Sequence, residues 1–119
     1  MRDFERTFKA LGQATRLKII MLLSEQELCV CELEEILGIS QSAASQHMRI
    51  LKASDLVIEE RRGQWVFYSL NRGMLQQQFS ECLTIVEHGL SASTKMTAEL
   101  QKLKEMQKNP IVECRLSEK

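Results

Sequence analysis

A mainly α-helical domain carrying one β-hairpin is the fold class that the sequence predicts, and three observations predict it. Apolar residues recur at helical spacing through most of the chain, with one proline and five glycines in 119 residues to interrupt them. Leu37-Gly38-Ile39-Ser40 is a short glycine-containing turn between two helical patterns, and such a turn marks a helix-turn-helix. Two segments rich in β-branched and aromatic residues, Leu56 to Glu60 and Trp65 to Leu70, flank Arg61-Arg62-Gly63-Gln64, where Gly63 supplies the positive φ of a tight turn. A β-hairpin directly after a helix-turn-helix makes a winged helix-turn-helix.

Taken in order, Phe4, Phe8 and Leu11 form the stripe of a first helix, which Gly12 ends. Thr15 to Ser24 is a second, with Leu17, Ile20, Met21 and Leu23 as its apolar stripe. The third runs from about Cys29 to Leu37, with Leu33, Ile36 and Leu37 facing inward. Ser40 has N-cap chemistry for a fourth helix, Gln41 to about Ser54, which turns Ala44, Met48 and Leu51 to the core. After the hairpin, one long helix is expected from about Asn71 to Gln107, with Leu75, Phe79, Cys82 or Leu83, Val86 and Leu90 along one face. A broad apolar face in so small a chain calls for a partner, and self-association is the simplest. The expected organisation is one domain over 1–109, dimeric through its terminal helices, followed by a loose tail over 110–119 that starts at Pro110.

The formal net charge is zero, so any nucleic-acid affinity must come from a local surface. Five acids and no base lie between Glu25 and Glu35, whereas five bases face three acids between Ser40 and Arg72. On the fourth helix, Ser42, Ser45 and Gln46, with Gln41 or Arg49, can share an outward face. They offer hydroxyls for phosphates and amide or guanidinium forks for base edges. A plain solvated face has the same composition, and the basic hairpin beside it is what favours double-stranded DNA. Arg61 and Arg62 would then lie near the DNA backbone or minor groove. His47 is read as a phosphate contact or a structural hydrogen bond.

No signal-peptide pattern opens the chain, and the longest apolar run, Ile19 to Leu23, is too short to span a membrane. A soluble cytoplasmic protein is expected, in which Cys29, Cys31, Cys82 and Cys114 serve as free thiols, ligands or redox sensors. An enzyme is not expected: there is no Cys-x-x-Cys, no Ser/His/Asp arrangement and no phosphate-binding glycine loop. Cys29 and Cys31 open the third helix, next to the candidate reading helix. Soft thiolates select soft ions. Residues two apart do not share a face of a regular helix but do so in an extended segment. Ligation of one ion by both therefore requires a non-helical start to that helix. A disulfide between such close neighbours closes a strained ring, so ligation is favoured over it.

Four segments resemble the ArsR/SmtB family of metal-sensing repressors: Leu11-Gly12-Gln13-Ala14-Thr15-Arg16-Leu17, Glu27-Leu28-Cys29-Val30-Cys31-Glu32-Leu33, Ser40-Gln41-Ser42-Ala43-Ala44-Ser45-Gln46-His47-Met48, and Gln64-Trp65-Val66-Phe67-Tyr68-Ser69-Leu70. The resemblance implies a homodimeric repressor that needs no cofactor to bind operator DNA and leaves it when a metal or metalloid binds. The thiol pair is similar to that of the arsenite-responsive and cadmium/lead branches. Where the arsenite branch can carry a third cysteine this chain has Glu34, and Met1 to Ala10 lacks the cysteines of the cadmium/lead arm. These departures favour As(III) or Sb(III) as inducer, on Cys29, Cys31 and a third sulfur. Cys114, beyond Pro110, is favoured over Cys82, which falls on the apolar stripe. A thiol-redox-sensing repressor and a Cd(II)/Pb(II)-responsive repressor of the same fold remain the alternatives.

Overall fold

A computed structural model describes residues 2–89 and 96–110. The elements are α1 (Arg2–Leu11), α2 (Ala14–Glu25), β1 (Leu28–Cys29), α3 (Val30–Leu37), α4 (Gln41–Ala53), β2 (Val57–Arg62), β3 (Trp65–Leu70), α5 (Arg72–His88) and α6 (Thr97–Lys108). The chain forms two units, one from Arg2 to Gln78 and the other from Phe79 onward. The first holds the winged helix-turn-helix.

Local chemistry sets most boundaries. Gln13 caps α2, its Oε1 accepting from the Arg16 amide at 2.9 Å. Gly38 ends α3 in the left-handed region at φ 63°, where a side chain would be strained. Ser40 then caps α4, its Oγ accepting from the Ala43 amide at 3.1 Å. Asn71 precedes α5 and accepts from the Met74 amide at 3.3 Å. The β2–β3 turn is two residues long, with φ 63° at Gly63, as the tight turns that match strand twist require.

The sheet has three antiparallel strands in the order β1-β3-β2, one more than the sequence reading foresaw. β1 pairs Leu28 with Tyr68 and Cys29 with Phe67. β2 pairs with β3 from Val57–Leu70 to Arg62–Trp65, so Arg61 and Arg62 belong to the strand and the turn is Gly63-Gln64. Packed between the sheet and α2–α4 is a core that includes Ile19, Leu23, Leu28, Leu33, Met48, Leu51, Leu56 and Tyr68. Each such side chain contributes roughly 1.5–3 kcal/mol by leaving water. The α4 face Ala44, Met48 and Leu51 is buried as expected.

Three expectations are corrected. On α2 the buried residues are Ile19 and Leu23, while Leu17 and Met21 are exposed. A run that is apolar on every side carries no phase to say which face turns inward. Ile36 on α3 is also exposed; Leu33 holds that helix to the core. The single long helix is two, because α5 ends at His88, before Gly89 at φ 84°, and α6 starts at Thr97. Leu90 and the tail beyond Pro110 lie outside the described residues. Among the described residues no helix is long and apolar enough to cross a membrane.

Candidate nucleic-acid interface and thiol site

The outward face of α4 follows from its inward one. With Ala44, Met48 and Leu51 fixed in the core, Ser42, Ser45, Gln46 and Arg49 fall at i, i+3, i+4 and i+7 on another side of the helix. Gln41, Ser42, Gln46 and Arg49 are exposed and Ser45 is half-buried. Arg49 makes no ion pair among the described residues. This is a surface of short hydroxyls, amides and one guanidinium on a helix whose position is set by its other face.

His47 lies on the flank of that helix. Its Nδ1 is 3.3 Å from Nη1 of Arg16, whose Nε donates to the Ala10 carbonyl at 2.6 Å. Arg16 thus ties the α1–α2 junction to α4 through His47. Burial, and then the Arg16 charge, hold the His47 pKa below its ordinary 6.5, so the ring is a neutral acceptor at neutral pH. His47 therefore makes a structural hydrogen bond between α2 and α4. Arg6 fixes the far end of the same helix by donating to the Ala53 carbonyl at 2.8 Å. Arg16 was missed as a positioning residue because its partner lies 31 positions away.

The two wing arginines differ. Arg61 is exposed and makes no ion pair among the described residues. Arg62 donates to both carboxylate oxygens of Glu27, at 2.5 and 2.9 Å, and to Glu60 at 2.9 Å. Its guanidinium carbon stands 4.5 Å from the centre of the Phe67 ring. Hydrogen bonds to Glu27 and then Glu60 push its pKa up, and Arg62 in turn holds Glu60 below the usual carboxylate range. The clasp links the wing to the residue that leads into the thiol pair. Beside it, Tyr68 donates to Glu59 at 2.8 Å; burial, then this bond, pushes the phenol up to about 12.

Cys29 is the extended residue before α3, at φ −86° and ψ 162°, and the helix starts at Val30. The non-helical start required for shared ligation is therefore part of the fold. The Glu32 carboxylate secures it by accepting from the Cys29 amide at 2.9 Å. Cys29 is buried and Cys31 exposed. Against the expectation from their closeness in sequence, the two sulfurs are joined as a disulfide. Their Cα atoms are 5.5 Å apart, inside the ordinary disulfide span of about 4.4–6.8 Å. The extended residue makes the pairing possible.

The pair lines an open pocket with Val30, Glu34, Gln41 of α4, and Gln64, Trp65 and Val66 of the wing. The thiols therefore adjoin both elements proposed to meet DNA. Among the described residues no three of His, Cys, Asp and Glu are grouped to hold a metal ion. Cys82 is a half-buried free thiol on the second unit, and Cys114 lies outside the described residues.

Residues 13–59 match the family model described as bacterial regulatory protein, arsR family. The chain is 37% identical over 83 residues to the arsenical resistance operon repressor of Bacillus subtilis (strain 168), spanning 66% of this chain and 79% of that protein. It is 41% identical over 76 residues to the cadmium resistance transcriptional regulatory protein CadC homolog of Staphylococcus aureus, spanning 63% of each. Among solved structures, reduced HlyU from Vibrio cholerae N16961 is similar at a TM-score of 0.59 and 32% identity, over 73% of this chain and 90% of that one.

Proposed function

From the membership of this chain in the arsR family of bacterial regulatory proteins, which are regulators and not enzymes, we propose that it is a cytoplasmic transcriptional repressor. It binds operator DNA as a homodimer and releases it when As(III) or Sb(III) is taken up by Cys29 and Cys31. One observation carries the reading. The sulfur of Cys29, on the extended residue before α3, meets that of Cys31, in the first turn of α3, in a pocket shared with the first residue of α4 and with the wing.

DNA contact rests on Gln41, Ser42, Ser45, Gln46 and Arg49 in the major groove, with Arg61 on the backbone. His47 sets the pose of α4 through Arg16 and stands beside the phosphate-facing residues of that helix. The dimer is supported by Phe79, Leu83 and Val86, which leave an apolar strip exposed along α5. Two copies must match half-sites one helical turn apart, so a small tilt of each wing and reading helix is enough to lose the fit.

An arsenic or antimony atom bound by the reduced pair changes the sulfur spacing at the junction of β1 and α3. β1 is hydrogen-bonded to β3, and Glu27, just before it, holds Arg62. The displacement therefore reaches the wing through the sheet and α4 through Gln41. Couplings of about 1–3 kcal/mol are usual for such switches, which is a 5- to 150-fold loss of DNA affinity. Inorganic As(III) takes a third donor, and Cys114 is preferred to Cys82 for it.

The disulfide favours a second reading, a repressor in which a peroxide-class oxidant closes the Cys29–Cys31 pair. Mass spectrometry of the reduced protein after peroxide, with and without arsenite, separates the two. The main reading is tested by anisotropy of a labelled operator duplex titrated with As(III), Sb(III), Cd(II), Pb(II) and Zn(II). Release by the first two at micromolar levels supports it. Release by Cd(II) or Zn(II) alone overturns it.

A further inference from the structure

The pocket that the thiols share is not lined like an inorganic-ion site. The pocket is about 230 Å³ and includes Trp65 and Val66 of β3 together with the polar groups of Glu34, Gln41 and Gln64. Trp65 is the one tryptophan of the chain and is 50% exposed. A large aromatic surface left half in water, next to two sulfurs, is suited to receive an apolar group carried by whatever the sulfurs hold.

Valence then narrows the ligand. Inorganic As(III) has three exchangeable positions and seeks a third donor. A monosubstituted trivalent arsenical, R–As(OH)2, has two, because its As–C bond does not exchange. A pair of thiols satisfies it completely, and R must go where the sulfurs are not. We propose that this site takes monosubstituted trivalent arsenicals in preference to arsenite, with Trp65 and Val66 as the wall for the organic group. The proposal rests on the reading that Cys29 and Cys31 ligate arsenic, and it names the ligand class of that same site.

The reaction uses the dithiol form, reached from the disulfide with a thiol or phosphine reductant. Two As–S bonds form and two As–O bonds break. The two thiol protons leave with the hydroxyls as two waters, and arsenic remains trivalent. With phenylarsine oxide, Ph–As=O, the same two As–S bonds form and one water leaves. Cys114 has no part in this reaction.

The full chain, reduced with a phosphine and freed of excess reductant, is titrated with phenylarsine oxide and with sodium arsenite. Trp65 fluorescence reports events in the pocket directly, and release of labelled operator reports binding independently of the tryptophan. The expected result is one phenylarsenical per protomer, with Trp65 emission changed, and at least tenfold tighter binding than arsenite. Cys114→Ser weakens the response to arsenite and leaves that to phenylarsine oxide unchanged. Trp65→Ala lowers the preference for the phenyl compound by about threefold to tenfold, the worth of one aromatic contact, while Trp65→Phe retains most of it. Circular dichroism checks that both variants fold.

Equal or tighter binding of arsenite by the wild-type chain overturns the proposal and leaves the repressor reading intact. So does an unchanged preference in a folded Trp65→Ala. If neither compound binds the reduced chain, or if Cys29→Ser and Cys31→Ser bind as wild type does, the underlying reading falls as well.

Discussion

Arg61 and Arg62 are adjacent, identical in type and both on the wing, yet the structure gives them different work. Replacing each in turn by glutamine separates the two. Arg61 is exposed without an ion pair among the described residues, and so is available to a phosphate. Each phosphate contact contributes about 0.9 to the slope of log K against log salt. In the proposed homodimer Arg61→Gln removes two such contacts, so the slope becomes shallower by about 1.8. Between 50 and 200 mM salt, a change of about 0.6 in log units, this alters the fall in affinity by about twelvefold. Arg62 already holds Glu27 and Glu60, so its charge is locally offset before DNA arrives. Arg62→Gln should change the slope by less than half as much. Its effect should appear instead as weaker coupling between arsenite and DNA, because the clasp to Glu27 is gone. The assay is operator anisotropy at four or more salt concentrations, with and without arsenite. If Arg62→Gln lowers the salt slope as much as Arg61→Gln does, the division of labour read from the clasp is wrong.

Three further outcomes follow from the helix-turn-helix itself. Ser40→Ala removes the α4 cap and should cost about 1 kcal/mol in urea unfolding, with weaker DNA binding; an unchanged midpoint would contradict the capping role. Gly38→Ala places a side chain at φ 63° and should destabilise the chain by about 1–2 kcal/mol, although the space there is open; a neutral change would show that the turn relaxes freely. His47 has a folded pKa below 6.5, so its contribution is present above that pH and is lost as pH falls through the folded value. Urea midpoints should therefore decline as the pH falls below about 6.5 in the wild type, and less so in His47→Gln; parallel profiles would refute the assignment.

How far the fold could be read in advance depended on whether its determinants were local. The reading helix was legible because Gly38, Ser40 and the Ala44–Met48–Leu51 stripe act within a few residues of one another. The hairpin was legible because Gly63 separates two β-rich segments. β1 was not, since two residues show no alternation, and its partners Phe67 and Tyr68 lie nearly forty positions on. The phase of α2 was misread because Ile19 to Leu23 is apolar throughout, so only tertiary packing selects Ile19 and Leu23. The long final helix was overextended because its stripe carries on past Gly89.

The site divides along the same line. Cys29 and Cys31 stand out by residue type, and their need for an extended start followed from side-chain geometry alone. What surrounds them did not follow. Trp65, Gln41 and the Glu27–Arg62 clasp are brought to the thiols by the sheet, from segments well separated in sequence. The sequence places Arg62 near the DNA backbone or minor groove, and its ion pair with Glu27, across 35 positions, leaves no local signal in the chain.

One pair of sulfurs is proposed to control DNA binding. Its most direct test is arsenite-driven release of labelled operator from the reduced wild type, Cys29→Ser and Cys31→Ser, measured side by side. Equal affinity for DNA is expected in all three without arsenite, with release from the wild type alone, by 5- to 150-fold in affinity. Release from either serine variant at the wild-type arsenite concentration would contradict it.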